Sequence, residues 1–109
     1  MYARVWRVGI LPGQVEAFAD AAKAMVPILR AQPGFRACLV LRSGPAELEA
    51  TVMSIWESME ALRDSETAIF QEALVNFLSH CERHPQMREE EVLLSEFPAG
   101  DPDDTVTNL

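Results

Sequence analysis

The sequence predicts one α+β domain in which a four-stranded antiparallel sheet carries its helices on one face. Three observations predict it. The chain has 109 residues, enough for one domain of ordinary size and too few for two independent cores. Apolar residues make up 49% and charged residues 24%, the mix of a folded globular chain. Segments alternating with period two and segments with helical spacing follow one another in the order β-α-β-β-α-β.

Residues 2–10 are rich in aromatic and β-branched side chains and stop at Pro12-Gly13, which reads as a first strand. Alternation puts Tyr2, Arg4, Trp6 and Val8 on one face and Ala3, Val5 and Arg7 on the other. From Gln14 to Ala31 the apolar residues Val15, Phe18, Ala22, Met25, Val26 and Leu29 trace one helical stripe. Glu16 and Asp20 come early and Arg30 late, which suits the helix dipole. Pro27 has no N–H to donate, so it kinks this helix or starts a second short turn.

Pro33-Gly34 is a stop signal, and Phe35–Leu41 follows as the second strand. Phe35, Ala37, Leu39 and Leu41 there alternate with Cys38 and Val40. Ser43-Gly44-Pro45-Ala46 reads as a loop into a third strand, Glu49–Trp56, hairpin-paired with the second. Val52, Ser54 and Trp56 face one way in it, Thr51, Met53 and Ile55 the other. Ser58 caps a short turn through Leu62, and Ser65 caps a longer helix bearing Phe70, Ala73, Leu74, Phe77, Leu78 and Cys81. His84-Pro85 ends that helix, and Glu91–Phe97 is the expected fourth strand. Residues 98–109, with their Asp and Pro, form an acidic tail expected to be loose or docked on a partner, so the domain spans 1–97.

This order is the ferredoxin-like split unit. Strands two and three are apolar on both faces, yet two helices cover only one. A homodimer packed through the sheet face opposite the helices hides the other.

Composition removes several classes of function. Asp and Glu number 17 against 9 Lys and Arg, a net charge of −8, and a pI of 4.6 excludes a nucleic-acid footprint. No apolar run reaches the roughly 18 to 20 residues of a membrane span, and the N-terminus lacks an apolar signal-peptide centre. Two cysteines, Cys38 and Cys81, are too few for a secreted disulfide scaffold. A small cytoplasmic protein is expected.

Three stretches then carry a resemblance: Tyr2-Ala-Arg-Val-Trp-Arg-Val followed by Pro12-Gly13 and a Phe18-bearing helix; Pro33-Gly34-Phe35; and Ser54-Ile-Trp56-Glu57-Ser58-Met-Glu-Ala-Leu62. Over residues 2–97 the chain resembles the antibiotic biosynthesis monooxygenase (ABM) domain family of the dimeric α+β barrel superfamily. The resemblance implies a dimer whose two sheets close into a barrel, with a small pocket between sheet and helices in each protomer. It also implies cofactor-independent oxygenation of an aromatic or quinol substrate, as in some members. Others degrade haem, isomerise a small signalling molecule or have no known activity. Haem-degrading members use an Asn, a Trp and a His. Trp56 matches the Trp, whereas Trp6 and Leu74 stand at the other two positions, so haem degradation is not expected. The anthrone oxygenases' Asn and aromatic hydroxyl correspond to Val52 and Leu62 here, a departure from that mechanism.

Cofactor-free oxygenation needs a substrate that ionises to an enolate or phenolate and passes an electron directly to O₂. The protein then supplies a dry pocket, a base and a donor for the anion. No cofactor is expected, for the chain has no GxGxxG, P-loop or paired CxxC. Trp56 and Trp6 are candidate pocket walls, with Phe70 and Leu74 from the second helix; each would otherwise be ordinary core. Arg4 is the candidate anion donor, set against an edge ion pair. His80 is the candidate base, set against a solvated histidine near a helix end. His80 and His84 have i, i+4 spacing, but no third ligand is suggested and no metal is expected. Cys38 and Cys81 read as small buried hydrophobes, and Glu89-Glu90-Glu91 as a solvated strand entry. The alternative function is a non-catalytic ligand-binding or accessory dimer that has lost the family's active-site residues.

Overall fold

The computed structural model describes residues 1–43, 48–82 and 85–96. Its elements are β1 (Tyr2–Gly9), α1 (Val15–Arg30), β2 (Phe35–Arg42), β3 (Glu49–Trp56), α2 (Met59–Asp64), α3 (Ala68–Leu78) and β4 (Gln86–Glu91). The strands form one antiparallel sheet in the order β2-β3-β1-β4. The fold is the expected ferredoxin-like α+β sandwich. The expected loop at Gly44–Ala46, His84 and the 98–109 tail lie outside the described residues.

The main core lies between the helices and one sheet face. Val8, Ala50, Trp56 and Cys38 come from the sheet, Phe18, Ala22, Met25 and Leu29 from α1, and Phe70 and Phe77 from α3. Phe18 and Phe77 meet with ring centroids 5.0 Å apart, which ties α1 to α3. Burying each such ring contributes about 2 kcal/mol. A second cluster of Ala3, Ala37 and Ile55, with Val5 and Met53 packed beside it, lies on the opposite face. Phe35 apart, strand parity falls as the alternation predicts, and the structure decides which face meets the helices.

The junctions follow local chemistry. Gly34 has φ +84°, and a Cβ there would stand 2.5 Å from the Ala61 Cβ, so the turn into β2 needs glycine twice over. Ser58 caps α2 by accepting the Ala61 N–H. Pro27 interrupts nothing: α1 runs through to Arg30, and Pro27 still accepts the Ala31 N–H through its carbonyl.

Four expectations are corrected. The fourth strand is Gln86–Glu91, not Glu91–Phe97, and every residue of it is exposed. It pairs only with β1, as an edge strand whose charges discourage further pairing. Leu93 and Leu94, which the expected strand would include, are 88% exposed. Phe35 does not share a face with Ala37, because a bulge between them shifts the register and leaves Phe35 opposite Trp56. Thr67, not Ser65, caps α3, by accepting the Phe70 N–H; Ser65 instead ends α2. The long helix stops at Leu78, and Cys81 forms an isolated bridge with Ile10.

Candidate functional site

Two cross-strand rows make the floor of a cavity between sheet and helices. The register sets Arg4 of β1 opposite Ser54 of β3, and Ser54 opposite Cys38 of β2. The neighbouring row is Trp6, Val52 and Val40. Ala22, Met25 and Leu29 of α1 and Phe70, Leu74 and Phe77 of α3 form the roof. The cavity is narrow, about 30 Å³, within about 460 Å³ of non-atom space that includes its mouth. Trp6, Val40, Val52 and Leu74 are half-buried, so the apolar row is the more open side. A ring-sized ligand must displace these side chains to enter fully.

Arg4 is the only cation in that lining and is 2% exposed. Its Nη2 donates to the Leu62 carbonyl at 3.0 Å and to Glu66 Oε1 at 2.8 Å, and its Nη1 donates to Ser65 Oγ at 3.5 Å. Its guanidinium carbon stands 5.6 Å from the Phe70 ring centroid, within reach of a cation–π attraction. Burial pulls the guanidinium below its ordinary pKa, while Glu66 and Glu89 pull it back up. Arginine keeps its proton through such a shift, so the cavity carries a fixed positive charge. Among the described residues, Arg4 Nε is the one buried side-chain nitrogen or oxygen without a hydrogen-bond partner. Such a donor is costly to leave unmet.

The other expected site residues divide. Trp6, Phe70 and Leu74 line the same cavity as Arg4. Trp56 does not line it. Trp56 is wholly buried, edge-on to Phe35 with centroids 5.4 Å apart, and its Nε1 donates to Ser54 Oγ at 2.9 Å. His80 is not brought to Arg4. It lies beyond the C-terminal end of α3, its Nδ1 3.0 Å from Gln14 Oε1, whereas Arg4 sits over Phe70 near the other end. A helix of that length separates its ends by roughly 15 Å. Cys38 and Cys81 are buried, and burial pushes both thiols up to about 11.

Ser54 is the lining residue that sequence reading passed over. Alternation puts it on the Trp56 side of its strand, but nothing in the sequence pairs it with Arg4 or with the indole. Among the described residues, no group of three or more His, Cys, Asp and Glu could hold a metal ion. No helix among them is long and apolar enough to cross a membrane.

Comparison with known proteins adds the lineage. The model of the antibiotic biosynthesis monooxygenase family matches residues 1–74. The chain belongs to that family. SnoaB, a cofactor-independent oxygenase from Streptomyces nogalater, superimposes on this ABM protein with a TM-score of 0.75 at 15% identity, covering 86% of this chain and 94% of SnoaB. A protein of unknown function from Nitrosomonas europaea gives 0.73 at 24% identity, covering 91% and 95%. At such identities the likeness is one of fold. No curated protein matches the ABM chain in sequence.

Proposed function

We propose that this protein is a cofactor-independent monooxygenase for a small aromatic or quinol-like molecule, bound as its anion beside Arg4. The observation that carries the reading is the buried Arg4 Nε–H, unpartnered in a residue that lines an apolar cavity. A planar molecule that enters past Trp6 and Leu74 places its ring among Phe70, Val52 and Met25. Its oxygen then meets the cation. Trp56 acts from behind this wall.

The fixed charge favours the ionised form of the ligand in a dry site. No protein base stands in the lining, since the Cys38 thiol, pushed up to about 11, stays protonated at neutral pH. The substrate therefore has to be acidic enough to lose its proton to water once Arg4 stabilises the anion. A general base must lie within hydrogen-bond reach of the proton it takes, so the proposal leaves His80 out. For a methylene between aromatic carbonyl-bearing rings the chemistry balances without outside reductant. The carbanion gives one electron to O₂, the radical pair joins as a peroxide, and the O–O bond breaks. One oxygen remains as a carbonyl and the other leaves as water, so CH₂ and O₂ become C=O and H₂O.

The outer sheet face supports the dimer. Leu39 and Leu41 are 37% and 50% exposed there, beside Val5 and Met53, in one chain taken alone. A second copy that packs on this face covers them.

Oxygen uptake by metal-stripped protein with hydroquinones, anthrones and flavonols tests the reading. The expected result is uptake that survives chelator, needs no added flavin and is lost in Arg4→Met. The second reading, a ligand-binding dimer without turnover, is favoured by the lack of a base in the lining. It predicts binding of the same compounds with no uptake above the uncatalysed rate.

A further inference from the structure

We infer that Ser54 is the second donor of this anion site and that Trp56 is the residue that positions it. The inference rests on the reading of the Arg4 cavity as a site for an ionised oxygen.

Arg4 and Ser54 are direct cross-strand partners on the helix-facing side of the sheet, with Cα atoms about 4.5–5.5 Å apart as such pairs require. Both line the cavity, and Ser54 is 8% exposed. Trp56 Nε1–H is a donor only, and it occupies one lone pair of Ser54 Oγ at 2.9 Å. The serine hydroxyl therefore already has its donor and keeps its own proton to give. Among the described residues no acceptor takes that proton. The floor row thus holds two unspent donors side by side, Arg4 Nε–H and Ser54 Oγ–H, in a lining that is otherwise apolar.

That pairing fits one chemical class. A phenolate or enolate oxygen has lone pairs for both donors, and its flat apolar body suits Trp6 and Leu74 across the cavity. A neutral ether of the same shape can use neither donor as strongly. Trp56 touches no ligand in this arrangement. It acts through Ser54, by holding the hydroxyl so that its proton points away from the indole.

Titration of bound 4-nitrophenol, whose phenolate absorbs visible light, tests the inference, with 4-nitroanisole as the neutral control. With the wild-type protein the bound probe should ionise at lower pH than the free probe. Ser54→Ala should move the bound pKa back up by about one unit and weaken phenolate binding about tenfold, with 4-nitroanisole affinity unchanged. Ser54→Thr, which keeps the hydroxyl, should behave as wild type. Trp56→Phe should move the bound pKa in the same direction by less, and should add nothing on top of Ser54→Ala. If Ser54→Ala leaves a lowered probe pKa intact, Ser54 is not a donor, and the Arg4 reading survives alone. A wild-type protein that fails to lower the probe pKa overturns both. If Trp56→Phe weakens 4-nitroanisole as much as the phenolate, Trp56 is packing and not positioning.

Discussion

Arg4 and Arg7 stand on the same strand and on opposite faces of the sheet, and the molecule treats them differently. Arg4 is shut between sheet and helices and held by Leu62, Ser65 and Glu66. Arg7 is exposed, on the edge of a polar hollow with Gln86 and Arg88. The same parity divides the apolar residues. On the Arg4 side they meet helices of their own chain and leave a small cavity; on the Arg7 side Val5 and Met53 pack on the small Ala3, Ala37 and Ile55 cluster, and Leu39 and Leu41 are exposed. The inner face has the material of a ligand site, with one buried charge in apolar walls. The outer face has the material of an interface, apolar residues with a polar rim.

The largest expected effect breaks the outer half of this contrast. Met53→Asp puts a carboxylate at a half-buried point of the outer face, and a symmetric contact buries it twice. An unpaired buried carboxylate costs several kcal/mol, so the dimer should weaken by about a thousandfold or more. Sedimentation velocity reads this directly. A variant that remains a dimer at micromolar concentration would place the interface elsewhere.

Next comes Arg4→Met, which sharpens the inner half. Its removal strands no buried group. Ser65 Oγ still donates to the Leu62 carbonyl, and Glu66, 45% exposed, turns to water. The variant also loses the unmet Nε–H. Folding stability by urea titration should therefore stay within about 1 kcal/mol of wild type, since apolar replacement of a buried ion is often neutral. Binding of 4-nitrophenolate should fall by about a hundredfold. A large loss of stability would make Arg4 a structural ion instead.

Much of this contrast was legible in the sequence, because strand parity is local. That Arg4 goes with Trp6, and Trp56 apart from Met53 and Ile55, follows from alternation within each strand, while the register between the strands puts the two sets on one sheet face. What alternation misses is any residue that breaks the count. The bulge at Arg36 sends Phe35 to the helix face. Edge pairing misled in another way: β4 is held by backbone bonds to β1, so its side chains, QMREEE, carry no apolar signal. The site was harder to read than the fold. Ser54 matters through the indole it meets and the arginine across the strand, and no local pattern marks either contact. His80 is a candidate base by residue type alone, and residue type says nothing about where α3 ends.

A smaller effect comes from the two thiols. Both are raised to about 11 by burial, against an ordinary value of 9.0. Between these values the unfolded chain has released protons that the folded chain still holds, so stability should be full below pH 9 and fall as pH rises toward 11. Cys38 contributes on the order of 2 kcal/mol to that fall, and Cys81, less deeply enclosed, contributes less. Urea midpoints measured from pH 8 to 11 should show it, and Cys38→Ala with Cys81→Ala should flatten the slope. An unchanged slope would mean that neither thiol is as dry as its surroundings imply.

Arg7→Met should have the smallest effect on the fold. The side chain is exposed, and an exposed charge contributes less than about 0.5 kcal/mol. Its effect on association is the sharper question. Arg7 shares the outer hollow with Glu90 as well as Arg88, so a partner copy that closes this face brings like and unlike charges together. If the dimer forms through the face, Arg7→Met should leave urea stability unchanged and make dimerisation less sensitive to salt, read as the dissociation constant at low and high ionic strength. If the salt dependence does not change, Arg7 faces solvent in the dimer, and the two copies meet nearer β2, over Leu39 and Leu41.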